Sequence, residues 1–333
     1  MSVPTAPTPP QDRIPWIDVA RALGIVLAVF GHSERGLWSA GILHSPAWAQ
    51  IDFMLYTFHM PLFFYLSGMN AAGSRHQPGF FRRRAMAIVL PYLVFSILQG
   101  SIQIALASET NGTLTWKDLL LIPLAPIWPF WFLYVLLVYV GIVSIWKPGR
   151  AMMAAAVVML LLSPLAADVS GAILIFQILH FFVFFVAGAL FRAPRVPGWS
   201  GMLAAMVWLG GCVIALRMGV PTSSYYVLYM LPAAICGIVA LIWVAQRLTD
   251  PGGLLAYIGR NVIAIYVMHT LAAAGTRIIL MRLGVEAPVI HIGLGVFNGV
   301  FLPLLALWVL QKTELARHIG LPARRTQTAL KAI

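Results

Sequence analysis

The segment "RALGIVLAVFGHSERG", residues 21 to 36, places a guanidinium and an imidazole in a stretch apolar enough to enter a bilayer. Arg21 and His32 are eleven residues apart, which on an α-helix is three turns plus about 20°, so both side chains share one face. The rise between them is about 16 Å. Ionisable groups are costly in hydrocarbon and mark function by default. An imidazole there suits general-base work, and a guanidinium suits an anionic group. Asp18, three residues before Arg21, is placed to pair with it. The competing reading of this pair alone is structural, with Arg21 reaching toward the membrane lip and His32 bonding a neighbouring helix.

Other residues join them. "IDFMLYTFHMPLFFYLSGMNA" carries His59 about eight residues from the end remote from Arg21, and His32 lies about six from the same end of its own segment. As antiparallel neighbours the two would differ in depth by about 3 Å. Asp52, seven residues before His59, shares its face and is a candidate to orient it. His269, in "IGRNVIAIYVMHTL", falls near the middle of a later apolar segment. Three imidazoles on one side of the midplane predict a polar chamber. No Cys/His or His/Glu spacing points to a metal, and "GHSE" gives His32 no partner four residues on. In "SRHQPGFFRRRAMAIVLPY", Arg82, Arg83 and Arg84, together with Arg260, are candidates to hold phosphates of an anionic cytosolic ligand. The same run also serves as a topology signal.

These residues must be positioned by a membrane bundle. Of 333 residues, 61% are hydrophobic and 10% charged, outside the range of soluble domains. The composition predicts an all-α polytopic protein with ten transmembrane helices, near residues 17–38, 51–72, 86–107, 127–146, 151–167, 171–191, 199–217, 225–246, 261–281 and 291–311. A short disordered cytoplasmic tail is expected over 1–16 and a basic cytoplasmic tail over 312–333, flanking a membrane domain over 17–311. The prolines of "LLLIPLAPIWPFWF" predict an irregular, partly inserted stretch whose backbone protein must cover. Cys212 and Cys236 lie in apolar stretches and read as small buried residues. The net charge of +12 needs no nucleic acid to explain it. With the N-terminus inside, the inner segments hold sixteen basic residues. The outer ones hold only Arg35, Lys117, Arg217, Arg277 and Arg282. Both termini are thus expected to face the cytoplasm.

Four motifs, in order, resemble the integral-membrane acyltransferase family 3, especially its fucose 4-O-acetylase-like branch. "WIDVARALGIVLAVFGH" is similar to the family's first helix, with an arginine, ten residues and then a histidine. "FHMPLFFYLSG" resembles its second, "PFWFLYVLLVY" its tryptophan-phenylalanine-leucine span, and "IGRNVIAIYVMHT" its C-terminal signature. The chain departs from the pattern at Met86 and Ala87, where a basic residue and leucine are common, and at Val262, where serine is frequent.

The resemblance implies transfer of an acyl group, usually acetyl from acetyl-CoA, to a hydroxyl of a cell-envelope glycan or lipid-linked sugar in a bacterial inner membrane. It matches Arg21 and His32 to the family's Arg-to-His motif, with His32 catalytic. On that basis His32 is expected to act as general base and Arg21 to guide the donor toward it. His59 is expected as an oxyanion donor or acceptor-hydroxyl contact, and Asp52 and His269 on the acceptor side. Direct transfer and an acetyl-histidine intermediate both remain open. Two other classes also fit the spans: an exporter of a glycan or small molecule, and a non-catalytic subunit of a polysaccharide-synthesis complex.

Overall fold

The computed structural model describes residues 14–107, 114–167, 169–192 and 194–323. The tail expected over 1–16 therefore lies outside the described residues up to residue 13, as do the last ten residues of the basic tail. Among the described residues the regular structure is all helical: α1 (Pro15–Ser39), α2 (Pro46–Ser74), α3 (Phe80–Ala105), α4 (Trp116–Leu120), α5 (Trp131–Ile145), α6 (Arg150–Ala167), α7 (Ile173–Leu190), α8 (Gly198–Arg217), α9 (Leu231–Arg247), α10 (Leu254–Arg260), α11 (Val262–Arg282), α12 (Pro288–Lys312) and α13 (Leu315–His318).

Each of the ten expected segments carries one long helix. Eight of these are long and apolar enough to cross a membrane, so the chain is a polytopic membrane protein. The other two are α2 and α5. α2 is long enough, but Asp52, His59, Ser67 and Asn70 dilute its apolarity. α5 has 15 residues and reaches only about 22 Å, short of a hydrocarbon core of about 30 Å.

Local chemistry sets several boundaries. Pro15, Pro46 and Pro288 open α1, α2 and α12 at positions where a missing amide donor costs nothing. α1, α8 and α11 end in left-handed glycines, Gly41, Gly219 and Gly284 (φ 70, 81 and 72°). The next amide in each case returns to a carbonyl of the last turn, as in Ile42 N–H to Leu37 O at 3.0 Å.

α1 is the hub, packing against α2, α9, α10, α11 and α12. Its antiparallel register with α2 is fixed by three rungs. Gly24 faces Phe63, Gly31 faces Tyr56, and Arg35 meets Asp52. α2 also crosses α7 with almost no side chain between them. A Cβ on Gly68 would strike the Phe185 carbonyl, and one on Gly188 the Tyr65 carbonyl. The outer surfaces of α6 and α8 expose Leu161, Leu162, Leu165, Met202, Leu203 and Met206, an apolar surface suited to lipid chains.

The proline-rich stretch over residues 121–130 is irregular, and its carbonyls are met by side chains. Tyr92 Oη donates to Ile122 O, Tyr266 Oη to Pro129 O (2.7 Å), and Gln99 Nε2 to Trp128 O (3.3 Å). These bonds supply the cover that a non-helical backbone needs at membrane depth. The basic stretch expected as a tail is folded as far as it is described: Leu321 is buried, and Gln311 Nε2 donates to Pro322 O at 2.8 Å.

Candidate functional site

A cavity of about 1110 Å³ runs through the bundle, and both Arg21 and His32 line it. The stripe on α1 continues between them through Ile25 and Ala28, as the helical period requires. The cavity has two chemically different ends.

At one end are guanidiniums. Arg21 pairs with Asp18 at 3.5 Å. Arg260 lies beside it because Gly259 lets α10 seat directly on the Asp18 backbone, and its Nη1 donates to Pro251 O at 2.9 Å. Arg84 Nη2 donates to Ser74 Oγ at 2.7 Å and Asn70 Oδ1 at 3.0 Å. Arg21, Arg84 and Arg260 line the cavity, together with Gly320–Pro322. Arg82 and Arg83 do not. Both are exposed, and Arg83 is spent on the Pro78 carbonyl and Gln77 Oε1. The structure therefore separates three neighbouring arginines that sequence alone left equivalent.

Further along lie the imidazoles. His32, His59 and His269 all line the cavity, with the His32 and His269 ring centroids 5.1 Å apart. His32 makes no hydrogen bond to the described residues, which leaves its ring nitrogens to the cavity. The α1–α2 register sets His59 opposite Ala28 rather than His32. That is one helical turn toward the arginines, about 6 Å instead of the expected 3 Å.

Hydrogen bonding fixes two tautomers. His59 Nδ1 lies 3.0 Å from Leu55 O, and His269 Nδ1 lies 2.7 Å from Tyr266 O and 3.1 Å from Ile265 O. A carbonyl only accepts, so Nδ1 carries the proton in both rings and a neutral Nε2 is an acceptor. His269 Nε2 is buried without a partner. This corrects the expected oxyanion role of His59, because a neutral ring in this tautomer offers no second N–H.

Asp52 also has a different part from the one expected. Its carboxylate does not orient His59. Arg35 Nε and Nη2 fork onto it at 3.0 and 2.8 Å. Arg35 Nη2 also donates to Tyr225 Oη at 3.1 Å, and its Cζ sits 3.4 Å above the Tyr56 ring. Tyr56 in turn meets His59 edge-on at 4.3 Å. In the sequence Arg35 stands out only as one of the outer basic residues. No signal within either segment pairs them, because the contact depends on the register between α1 and α2.

Two other parts of the wall escaped the sequence reading. Ser223, Ser224, Tyr225 and Tyr226, from the α8–α9 connection, line the end remote from the arginines. Trp128 stacks on Trp131 at 6.0 Å and stands 6.3 Å from the His32 ring. Gln99 holds the Trp128 carbonyl, and Thr270 Oγ1 donates to Gln99 Oε1 at 2.5 Å.

Taken together, the cavity offers an anion-holding end, an apolar aromatic shaft, a set of nitrogen lone pairs and a hydroxyl-rich far wall. No curated protein and no solved structure matches the chain. The family model for an acyltransferase domain, that of acyltransferase family 3, matches residues 14–309, and the chain belongs to this family of membrane acyltransferases.

Proposed function

We propose that this acyltransferase moves an acetyl group from cytosolic acetyl-CoA to a hydroxyl of a cell-envelope or exported glycan, in the manner of the fucose 4-O-acetylase-like branch. One observation carries the reading. Arg21 and His32, about 16 Å apart along one helix face, line a single cavity.

In this reading Arg21, Arg84 and Arg260 face the cytoplasm and bind the nucleotide phosphates. Guanidiniums suit that task through paired, charge-assisted hydrogen bonds. The pantetheine arm lies along Ile25, Ala28 and Phe63, and brings its thioester to His32. Neutral His32 takes the proton of the acceptor hydroxyl as that oxygen attacks the thioester carbonyl. The tetrahedral intermediate then expels the CoA thiolate, and the imidazolium returns its proton to the sulfur. The products are an acetyl ester and free CoA. His269 Nε2, with its unused lone pair, receives an N–H of the imidazolium and stabilises it. His59 Nε2 accepts from the incoming hydroxyl. Base catalysis of this kind is worth about 10²–10⁴-fold, and confinement of two substrates in one shaft adds an orientation term.

The test is a purified preparation in lipid nanodiscs with acetyl-CoA labelled in its acetyl group. Label is expected to move to a glycan fraction, and His32→Ala to lose at least about a hundredfold of that transfer while remaining folded and inserted. Wild-type-like transfer by His32→Ala would remove His32 from the chemistry. Uptake of glycan into vesicles with no label transferred would favour an exporter, the one rival that a cavity touching both ends of the bundle also suits.

A further inference from the structure

We infer that the far wall of the cavity is a subsite for an uncharged pyranose, built by Tyr56, Tyr225 and the Ser223–Ser224 hydroxyls and held in place by the Arg35–Asp52 pair. This rests on the acetyl-transfer reading and adds to it a class of acceptor.

Three observations support the inference. The first is an unmet polar group. Tyr56 lines the cavity, yet its hydroxyl is buried with no partner. A buried hydroxyl without a hydrogen bond is costly, and a turn of the ring toward a sugar hydroxyl in the cavity would satisfy it.

The second is the chemistry of the wall. Ser223, Ser224, Tyr225 and Tyr226 come from one connection and present hydroxyls and ring faces together. The Tyr56 and Tyr225 rings are 5.2 Å apart at 43°. Such a wall meets both halves of a pyranose: its C–H face lies on a ring, and its hydroxyls bond to hydroxyls.

The third is charge. Arg35 stands behind Tyr56 and Tyr225 and outside the cavity lining, and Asp52 neutralises it through a forked pair. All the arginines that line the cavity, Arg21, Arg84 and Arg260, are at the other end. Among the described residues, an anionic acceptor would therefore find no cation in the lining of the far wall. The two ends sort their substrates by charge, with the polyanionic donor at the arginines and the neutral acceptor at the tyrosines. Arg35 and Asp52 are positioning residues here, because they act through the tyrosines they hold.

The experiment uses the wild-type protein in nanodiscs with acetyl-CoA. The probes are the p-nitrophenyl α- and β-pyranosides of glucose, galactose, mannose and fucose, against p-nitrophenyl glucuronide, with products read by mass spectrometry. At least one neutral hexoside is expected to be acetylated with kcat/KM about tenfold or more above the glucuronide. Tyr56→Phe and Tyr225→Phe are expected to raise the KM for that hexoside roughly five- to tenfold, the size of one lost hydrogen bond, without moving the KM for acetyl-CoA. Asp52→Asn uncovers the Arg35 charge and is expected to shift the preference toward the glucuronide, a change that mere loss of folding would not produce. A glucuronide as good as the neutral sugars in the wild type, or tyrosine variants with unchanged acceptor KM, would overturn the inference. Acetylation of non-sugar alcohols with no hexoside modified would also overturn it, while leaving the transfer reading intact. Absence of any acetyl-CoA turnover would instead sink the transfer reading, and this inference with it.

Discussion

At the residue scale, the structure divides work among groups of the same type. Of three consecutive arginines, Arg84 alone reaches the cavity, held there by Asn70 and Ser74. Helical geometry accounts for this, since consecutive residues point about 100° apart and only one of three can face inward. Arg84→Ala is accordingly expected to raise the KM for acetyl-CoA by about 10- to 100-fold, the equivalent of a charge-assisted hydrogen bond. Arg82→Ala should change it by less than about twofold. Steady-state kinetics in nanodiscs checks both, and equal effects would mean that the phosphates sit outside the cavity. The histidines are likewise distinguished by their partners. His59 and His269 have their tautomers set by carbonyls of their own helices, while His32 has no such tether. In the proposed transfer it is the ring that exchanges the proton.

At the scale of elements, the site depends on two close helix contacts. Gly68 and Gly188 bring α2 and α7 backbone to backbone, which fixes the wall that carries His59. Gly68→Val is expected to destabilise the protein by about 1–3 kcal/mol through overpacking, or to lower its yield. Thermal unfolding in detergent, followed by tryptophan fluorescence, would measure this, and an unchanged midpoint would show that the two helices can part at no cost. The elements also show what a sequence can and cannot display. The Arg21–His32 stripe was legible because it is a property of one helix and its period. The Arg35–Asp52 rung was not, because it depends on the register between two helices, and each residue looks ordinary on its own strand of text. Trp128 and the Ser223–Tyr226 wall come from irregular connections, which have no period to read. The Gly320–Pro322 segment was hidden by composition, since a basic stretch after a last span resembles a solvated tail.

At the scale of the whole molecule, the helices alternate in direction, so the arginine end and the tyrosine end of the cavity belong to opposite ends of the bundle. Arg75 Nε bonding to Val143 O at 2.6 Å, and Arg277 Nη1 to Gly36 O at 2.5 Å, tie helix ends together at each side. The excess of basic residues at the arginine end leads to the expectation that it is cytoplasmic. Single cysteines at residues 44 and 78, in a background lacking Cys212 and Cys236, test this. Residue 44 should react with a membrane-impermeant maleimide in intact cells, and residue 78 only after permeabilisation. The reverse pattern would invert the bundle and put the phosphate site on the wrong side for a cytosolic donor.

The cavity has a further consequence, which is electrical. A membrane that stores energy as an ion gradient cannot tolerate an unguarded duct through a protein embedded in it. Fixed positive charge at a pore mouth excludes cations while admitting anions. On the transfer reading proposed above, Arg21, Arg84 and Arg260 would double as a filter that turns sodium ions and hydronium away whenever no cosubstrate plugs the entrance. Replacing all three with glutamine is expected to raise the cation conductance of planar bilayers holding the protein. A current at the wild-type baseline would show that the duct is sealed elsewhere.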